Sequence, residues 1–311
     1  MTNDWTAESV PDCTGKTVVV TGANSGLGYE ATKALAANGA HIVMAVRSPD
    51  RGRDAARDVL GEVPDADLTL AKLDLSDLDS VERFADWFEA AHDELHVLVN
   101  NAGLMALPRR ETEQGFEMQF GVNHLGHFAL TGHLLSALRE TDGQTRVVTQ
   151  SSGLHENGEM DFSDPMGEAS YDKWEAYAQS KLANLLFAYE LQRRLELAGE
   201  EDVLSVGCHP GYAATNLQRR GPEMEGSLLR RVGMSLANRA FAQSAEMGAL
   251  PTLYAATAAD VEGGSYYGPT GFQHMRGYPG ENESSEASHD EADAHRLWEL
   301  SEHLTGVTYG I

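Results

Sequence analysis

A phenol and an amine lie four residues apart in the run Tyr177-Ala178-Gln179-Ser180-Lys181. On a helix that spacing puts both side chains on one face. A free phenol has a pKa of about 10, too high for easy proton abstraction at neutral pH, and a neighbouring ammonium favours the phenolate. Such a pair could take a proton from an alcohol or return one to a carbonyl. A hydroxyl beside the same carbon would stabilise charge developing on its oxygen. Ser151 and Ser152, just past the β-branched run Arg146-Val147-Val148-Thr149, are the alternatives, and a one-residue shift at a strand end turns the side chain to the other face. The pair alone does not specify catalysis. Leu182, Ala183, Leu185, Leu186 and Phe187 follow directly, as they would on any amphipathic helix.

A second constellation suits a dinucleotide. Thr21-Gly22-Ala23-Asn24-Ser25-Gly26-Leu27-Gly28 separates the strand-like Lys16-Thr17-Val18-Val19-Val20 from a helical pattern. Glycines there let the backbone turn tightly and approach a ligand, and the following helix start favours a pyrophosphate. Gly22, Asn24, Ser25, Gly26, Leu27 and Gly28 are the candidate cradle. An acidic residue ending the second strand would accept bonds from an adenosine ribose. The chain has Ala45-Val46-Arg47 instead, and an arginine suits a 2′-phosphate, which favours NADP over NAD. Arg51 and Arg53 lie near enough in sequence to assist, whereas Asp50 could pair with Arg47 instead. Leu73-Asp74-Leu75 puts Asp74 and Leu75 at the edge of the same crevice; Asp74 could bond the adenine amino group or cap the helix that starts near Asp77.

The elements that must position these groups alternate. Apolar runs at His41–Val46, Leu68–Leu73, Val97–Val99, Arg146–Thr149 and Leu204–Val206 join the first as strands, with a last short one near Gly271-Phe272. Helical patterns occupy 28–39, 51–60, 77–92 and the stretch around Tyr177. This predicts an α/β protein: a Rossmann-type doubly wound parallel sheet in three layers, with right-handed crossovers, in one domain. The catalytic domain spans 14–279, after a polar arm at 1–13. Residues 212–245 break the alternation and suit a segment over a pocket. Residues 280–293 are acidic and read as a solvated loop, before a closing helix with Leu297, Trp298, Leu300 and Leu304 that docks back on the domain.

Composition narrows the partners. The chain has 311 residues, 48 Asp and Glu against 23 Lys and Arg, and a formal charge of −25. Such a surface repels nucleic acid and anionic lipid. At molar salt the Debye length is about 3 Å, so self-repulsion would be screened; the composition fits the cytoplasm of a salt-accumulating organism. No apolar stretch approaches the ~18 residues of a membrane span, and the start lacks a secretory signal. Two cysteines, Cys13 and Cys208, are too few for a disulfide framework. A reduced, cytoplasmic setting is expected. Twelve histidines, among them His124, His127 and His155, lack zinc-ligand spacing; no metal is expected. Nothing decides between a monomer and a homo-oligomer.

Further motifs fall at predicted strand ends or on the helices that follow: Asn100-Asn101-Ala102-Gly103, Asn123-His124-Leu125-Gly126-His127-Phe128, Ser151-Ser152, the Tyr177–Lys181 run and His209-Pro210-Gly211. With the glycine loop, their order resembles the short-chain dehydrogenase/reductase family over about residues 15–275. Asn-His-Leu-Gly-His-Phe, Ser-Lys-Leu-Ala-Asn and Leu297-Trp298-Glu299-Leu300-Ser301 are similar to its retinol-dehydrogenase-like branch. The resemblance implies Ser152, Tyr177 and Lys181 as catalytic residues, with Asn123 holding a water in a proton relay to Lys181. It implies further cofactor contacts from Asn101, Ala102, Gly103, Pro210, Gly211 and Thr215, with Lys181 and Tyr177 at the nicotinamide ribose; Thr215 could instead cap a helix. The chain departs from the family in one place. The 24 residues between Ser152 and Tyr177 exceed the usual gap, and His155 to Trp174 should form a loop beside the pocket.

The function expected is hydride transfer between NADP(H) and a small alcohol or carbonyl. Leu104, Met105, Leu107, Met160, Met224 and Leu228 suggest a lipophilic substrate. A non-catalytic NADP-binding redox sensor and a C=C reductase of the same family are the alternatives.

Overall fold

The computed structural model describes residues 4–212 and 243–311. Strand β1 (Thr17–Thr21) leads into α1 (Gly26–Ala37) and β2 (His41–Val46), then α2 (Pro49–Glu62), β3 (Asp67–Lys72), α3 (Leu78–Ala91) and β4 (Val97–Asn100). A single α turn at Met118–Phe120 and a π-helical stretch at Gly121–Leu125 run into α4 (Gly126–Glu140). The chain continues through β5 (Thr145–Gln150), α5 (Lys173–Ala198), β6 (Val203–Cys208), α6 (Ala245–Thr257), β7 (Tyr266–Pro269), β8 (Pro279–Glu281) and α7 (Glu291–Thr305). The sheet order is β3-β2-β1-β4-β5-β6-β7-β8, parallel except for β8, which runs antiparallel to β7. The order reverses between β1 and β4, and that switch point opens a crevice at the strand C-termini.

Both sheet faces are covered, which explains the unbroken apolar strands. Val18 and Val20 of β1 pack toward α1 and α6, while Val19 packs toward α3, α4 and α5. Ile42 and Met44 of β2 repeat the alternation against Val43 and Ala45. Helix α5 carries the Tyr/Lys pair. Asp172 caps it by accepting from the main-chain nitrogens of Trp174 and Glu175, and Gly199 ends it in the left-handed region.

Four expectations need correction. Gly271 and Phe272 enter a 3₁₀ turn; the seventh strand lies earlier, at Tyr266–Pro269. The acidic 280–293 stretch is exposed along most of its length but is not all loop: it contributes to β8 and a 3₁₀ turn at Glu286–His289, and it buries Ser288. Short serine and asparagine side chains make those contacts, so no apolar signal announced them. The N-terminal arm is partly core: Val10 and Cys13 are buried, and Trp5 meets Tyr254 edge-on at 5.3 Å. Asp77 is the N-cap of α3, while Asp74 folds back on Ser76. The closing helix does dock, burying Leu297 and Trp298.

Candidate active site

One cleft of about 660 Å³ runs along the C-terminal strand ends. At its dinucleotide end the loop after β1 turns at Gly22 with φ +68°, a conformation that strains any residue with a Cβ. The first turn of α1 then passes so close to β4 that a Cβ on Gly28 would lie 2.5 Å from Asn101 Nδ2 and 2.7 Å from the Gly22 carbonyl. Gly22, Asn24, Ser25, Gly26 and Leu27 line this end, together with Ala45, Arg47, Arg51, Asp74 and Leu75. Asp50 pairs with Arg53 rather than Arg47, so Arg53 is turned to its own helix and Arg47 and Arg51 remain at the cleft. The Asp74 carboxylate accepts from Ser76 N at 3.1 Å and Ser76 Oγ at 2.7 Å. A glycine-walled cradle at a helix start, with two arginines beside it, fits a dinucleotide.

Asn101, Ala102 and Gly103 form the middle of the wall. Thr21 Oγ1 accepts from the main-chain nitrogens of Asn101 and Ala102, both at 2.9 Å, and Asn101 Nδ2 donates to the Thr21 carbonyl at 2.7 Å. Gly103 lies close to the π-helical stretch and to α5: a Cβ there would meet Asn123 Oδ1 at 3.2 Å and Lys181 Nζ at 3.6 Å. Pro210 and Gly211 line the far side. Thr215 and all but the ends of the 212–245 segment, Met224 and Leu228 included, lie outside the described residues.

Ser152, Tyr177 and Lys181 reach the same cleft from β5 and α5. Lys181 Nζ sits 5.8 Å from the centre of the Tyr177 ring and donates to the Gln150 carbonyl at 3.0 Å. The Ser151 hydroxyl donates to the Lys181 carbonyl at 2.8 Å. Ser152 Oγ accepts from Leu154 N at 3.3 Å and bonds the Tyr177 hydroxyl. Asn123 is behind the wall. Its Oδ1 accepts from Leu104 N at 2.7 Å, and its Nδ2 donates to Leu104 O and Ser180 Oγ at 3.0 and 2.9 Å.

Burial decides the protonation states. Tyr177 is pushed up to about 12 by burial, only partly offset by its bond to Ser152. Lys181 is pushed down to about 8, again by burial. The expected lowering of the phenol by its neighbour does not appear in the protein alone: burial raises it, Ser152 offsets part of that, and the Lys181 ammonium is turned to the Gln150 carbonyl. His124 and His127 are buried and neutral, held down to about 3 and about 4. Among the described residues no group of three or more His, Cys, Asp or Glu side chains could hold a metal ion.

The remaining lining combines apolar Leu104, Met105, Leu154, Trp174 and Met275 with polar His155, Glu156, His209, Asn282 and Glu283. Leu107 and Met160 are buried and do not figure in the wall. The insert after Ser152 supplies His155, Glu156 and Trp174 to the rim. Sequence reasoning missed Gln150 and Asn282, and it gave His209 no role beyond its place in the His209-Pro210-Gly211 motif. Asn282 Nδ2 meets His209 Nε2 at 2.8 Å across the sheet edge. Gln150 had a signal in its place beside Ser151, whereas Asn282 had none.

A doubly wound sheet with a glycine cradle at its switch point and a tyrosine and lysine at the cleft defines a dinucleotide-dependent oxidoreductase. The comparisons with known proteins agree and narrow it. The family described as short chain dehydrogenase matches residues 16–226, and the chain belongs to the short-chain dehydrogenase/reductase family. Retinol dehydrogenase 14 of Mus musculus is 40% identical over 305 residues, covering 94% of this chain and 86% of that protein. Retinol dehydrogenase 12 of Homo sapiens is 37% identical over 297 residues, covering 95% and 88%. An uncharacterized Mycobacterium paratuberculosis protein of known structure is 40% identical, with a TM-score of 0.81 over 99% of this chain and 100% of its own. The protein is thus a nicotinamide-dependent, retinol-dehydrogenase-like oxidoreductase acting on a small molecule.

Proposed function

We propose that the protein interconverts an alcohol and a carbonyl on a lipophilic small molecule, using NADP(H), with Tyr177 as proton donor and acceptor. The observation that carries this reading is the meeting of Ser152, Tyr177 and Lys181 at one cleft whose other end is a glycine-walled cradle. The bound nicotinamide supplies or accepts the hydride at its C4. In the oxidative direction the alcohol C–H bond breaks with its electron pair, the C=O bond forms, and the hydroxyl proton passes to Tyr177 as phenolate. In reduction the phenol returns it. Ser152 holds the substrate oxygen, and the bond of Ser151 to the Lys181 carbonyl supports choosing Ser152 over it. Lys181, 5.8 Å from the Tyr177 ring, would reach the ribose hydroxyls, and its ammonium would favour the phenolate once turned from the Gln150 carbonyl toward the phenol. Asn123 lies against Gly103 and belongs to the proton path toward Lys181. Gly22, Asn24, Ser25, Gly26, Leu27, Gly28, Asn101, Ala102, Pro210 and Gly211 would hold the dinucleotide, with Asp74 and Leu75 at the adenine.

Arg47 and Arg51 beside the adenosine end support NADP, because a guanidinium pairs a 2′-phosphate in bidentate fashion. The apolar rim and the names of the relatives, retinol dehydrogenases, support a lipophilic alcohol or aldehyde such as a retinoid. No described helix is long and apolar enough to cross a membrane. We place the protein in a reduced cytoplasm on its two free cysteines.

Tyr177→Phe tests the reading. It should lower kcat by about a thousandfold or more, the scale of a lost acid–base group, while NADPH still titrates the protein with unchanged affinity. Full turnover in the variant would remove Tyr177 from the reaction. Tighter NADH than NADPH binding would overturn the part given to Arg47. Product analysis separates carbonyl from C=C reduction.

A further inference from the structure

We propose that His127 is a positioning residue that couples the dinucleotide loop to Asn123, holding both through a single neutral tautomer. The inference rests on the dinucleotide and Asn123 assignments just made, and goes beyond them to a residue outside the cleft.

His127 is 2% exposed, in the first turn of α4. Its Nδ1 lies 3.0 Å from the Asn123 carbonyl and its Nε2 lies 3.0 Å from Thr21 Oγ1. The hydrogen-bond accounting leaves one solution. A carbonyl can only accept, so Nδ1 carries the hydrogen. The ring is neutral, so Nε2 has a lone pair and must accept. Thr21 Oγ1 already accepts from Asn101 N and Ala102 N, which occupies both of its lone pairs. Its one hydrogen is therefore available to Nε2, in preference to the Val99 carbonyl at 3.2 Å. A directed chain results: the two loop amides donate to Thr21, Thr21 donates to His127, and His127 donates to the Asn123 carbonyl.

The far end of the chain has a reason to need a support. Asn123 lies in a π-helical stretch, where Gly126 N bonds the Gly121 carbonyl. Such widened turns disturb the regular carbonyl ladder and occur often at functional sites. The imidazole hydrogen meets the Asn123 carbonyl there. The Asn123 side chain is fixed separately by Leu104 and by Ser180, whose Oγ donates to the Tyr177 carbonyl at 2.7 Å. One imidazole thus ties β1 and the Asn101-Ala102 turn to the segment that reaches the base of the Tyr177 turn. An apolar residue of the same bulk would fill the space and make neither bond.

The two bonds can be cut one at a time. A Gln side chain places its terminal amide at the bond separation of Nε2, and an Asn side chain places its amide at that of Nδ1. His127→Gln should keep the bond to Thr21, retain NADPH affinity within about twofold, and lose kcat by about tenfold or more. His127→Asn should keep the bond to the Asn123 carbonyl, weaken NADPH binding by about tenfold, and lose less kcat than the Gln variant. His127→Leu should lose both. Kd for NADPH is read by fluorescence titration, kcat and KM by steady state, and folding by thermal melts. Thr21→Val, which keeps the shape but removes the hydroxyl and with it the acceptor of both loop amides, should weaken NADPH binding at least as much as the Asn variant while sparing the bond to the Asn123 carbonyl, and serves if a His127 variant does not fold. Equal losses of kcat and NADPH affinity in the Gln and Asn variants, in proportion to lost Tm, would reduce His127 to packing and overturn the coupling. So would wild-type values in both. Failure of the Tyr177 assignment is distinguished from this, because it would appear in Tyr177→Phe turnover and leave the NADPH split between the His127 variants intact.

Discussion

Lys181 is 3% exposed, and its ammonium meets the Gln150 carbonyl, which also accepts from Asn184 Nδ2 at 2.9 Å. Burial dominates its titration and holds it down to about 8. An unfolded lysine titrates near 10.5, so between those values the unfolded chain binds the extra proton and folding gains stability as pH rises. Below pH 8 the full penalty stands, on the order of 3 kcal/mol. Lys181→Met should therefore melt several degrees above the wild-type protein at pH 7 without dinucleotide, and the gap should close toward pH 10. The same variant should lose nearly all turnover. Melts across pH 6–10 check it; a variant less stable at neutral pH, or a gap indifferent to pH, would show that the ammonium is not under desolvation strain. A Lys181→Met variant that is more stable and inactive would mean that chemistry and stability compete at this position.

Gly28 shows how one element constrains another. In a helix interior, exchanging Gly for Ala ordinarily stabilises by up to ~1 kcal/mol. Here the added methyl would collide with the Gly22 carbonyl and Asn101 Nδ2, and overpacking of this kind costs about 1–3 kcal/mol. The steric effect wins. Gly28→Ala should lower both Tm and NADPH affinity, the latter by tenfold or more in a titration, and an unchanged affinity would mean that α1 and β4 can part freely. The glycine loop was legible because a strand, a tight turn and a helix start are neighbours along the chain. The Tyr/Lys pair was legible for the same reason, lying within one helical turn. The β7–β8 edge was not. Those strands are short, Tyr266–Pro269 and Pro279–Glu281, and carry glycines and prolines that usually mark turns. Asn282 and His209 meet 73 positions apart, which no local pattern encodes. The role of Ser151 was likewise hidden, since its partner is the Lys181 carbonyl, 30 positions on. The expected direction for Tyr177 erred because sequence spacing reports proximity to an ammonium but says nothing of burial.

The whole molecule carries a formal charge of −25. Many of its few cations are paired: Lys33 with Glu30 and Glu62, Arg193 and Arg194 with Glu190. The remaining repulsion is long-ranged in dilute buffer and short-ranged at molar salt. Tm and kcat should both rise from low to molar KCl, with the Tm gain persisting in Tyr177→Phe, where chemistry is removed and surface charge is not. A flat profile would separate the acidic composition from any salt adaptation.

The two sheet faces also differ in when they can be completed. The layer against α1 and α6 has its strands and helices in place by about Tyr267. The opposite layer does not: Phe128 and Phe187 pack on Trp298, and the Tyr309 hydroxyl donates to the Phe128 carbonyl across 181 positions. During synthesis from the N-terminus, that aromatic patch stays bare until the closing helix and the residues after it have left the ribosome. Until then one sheet face is sealed and the other exposes its aromatic side chains.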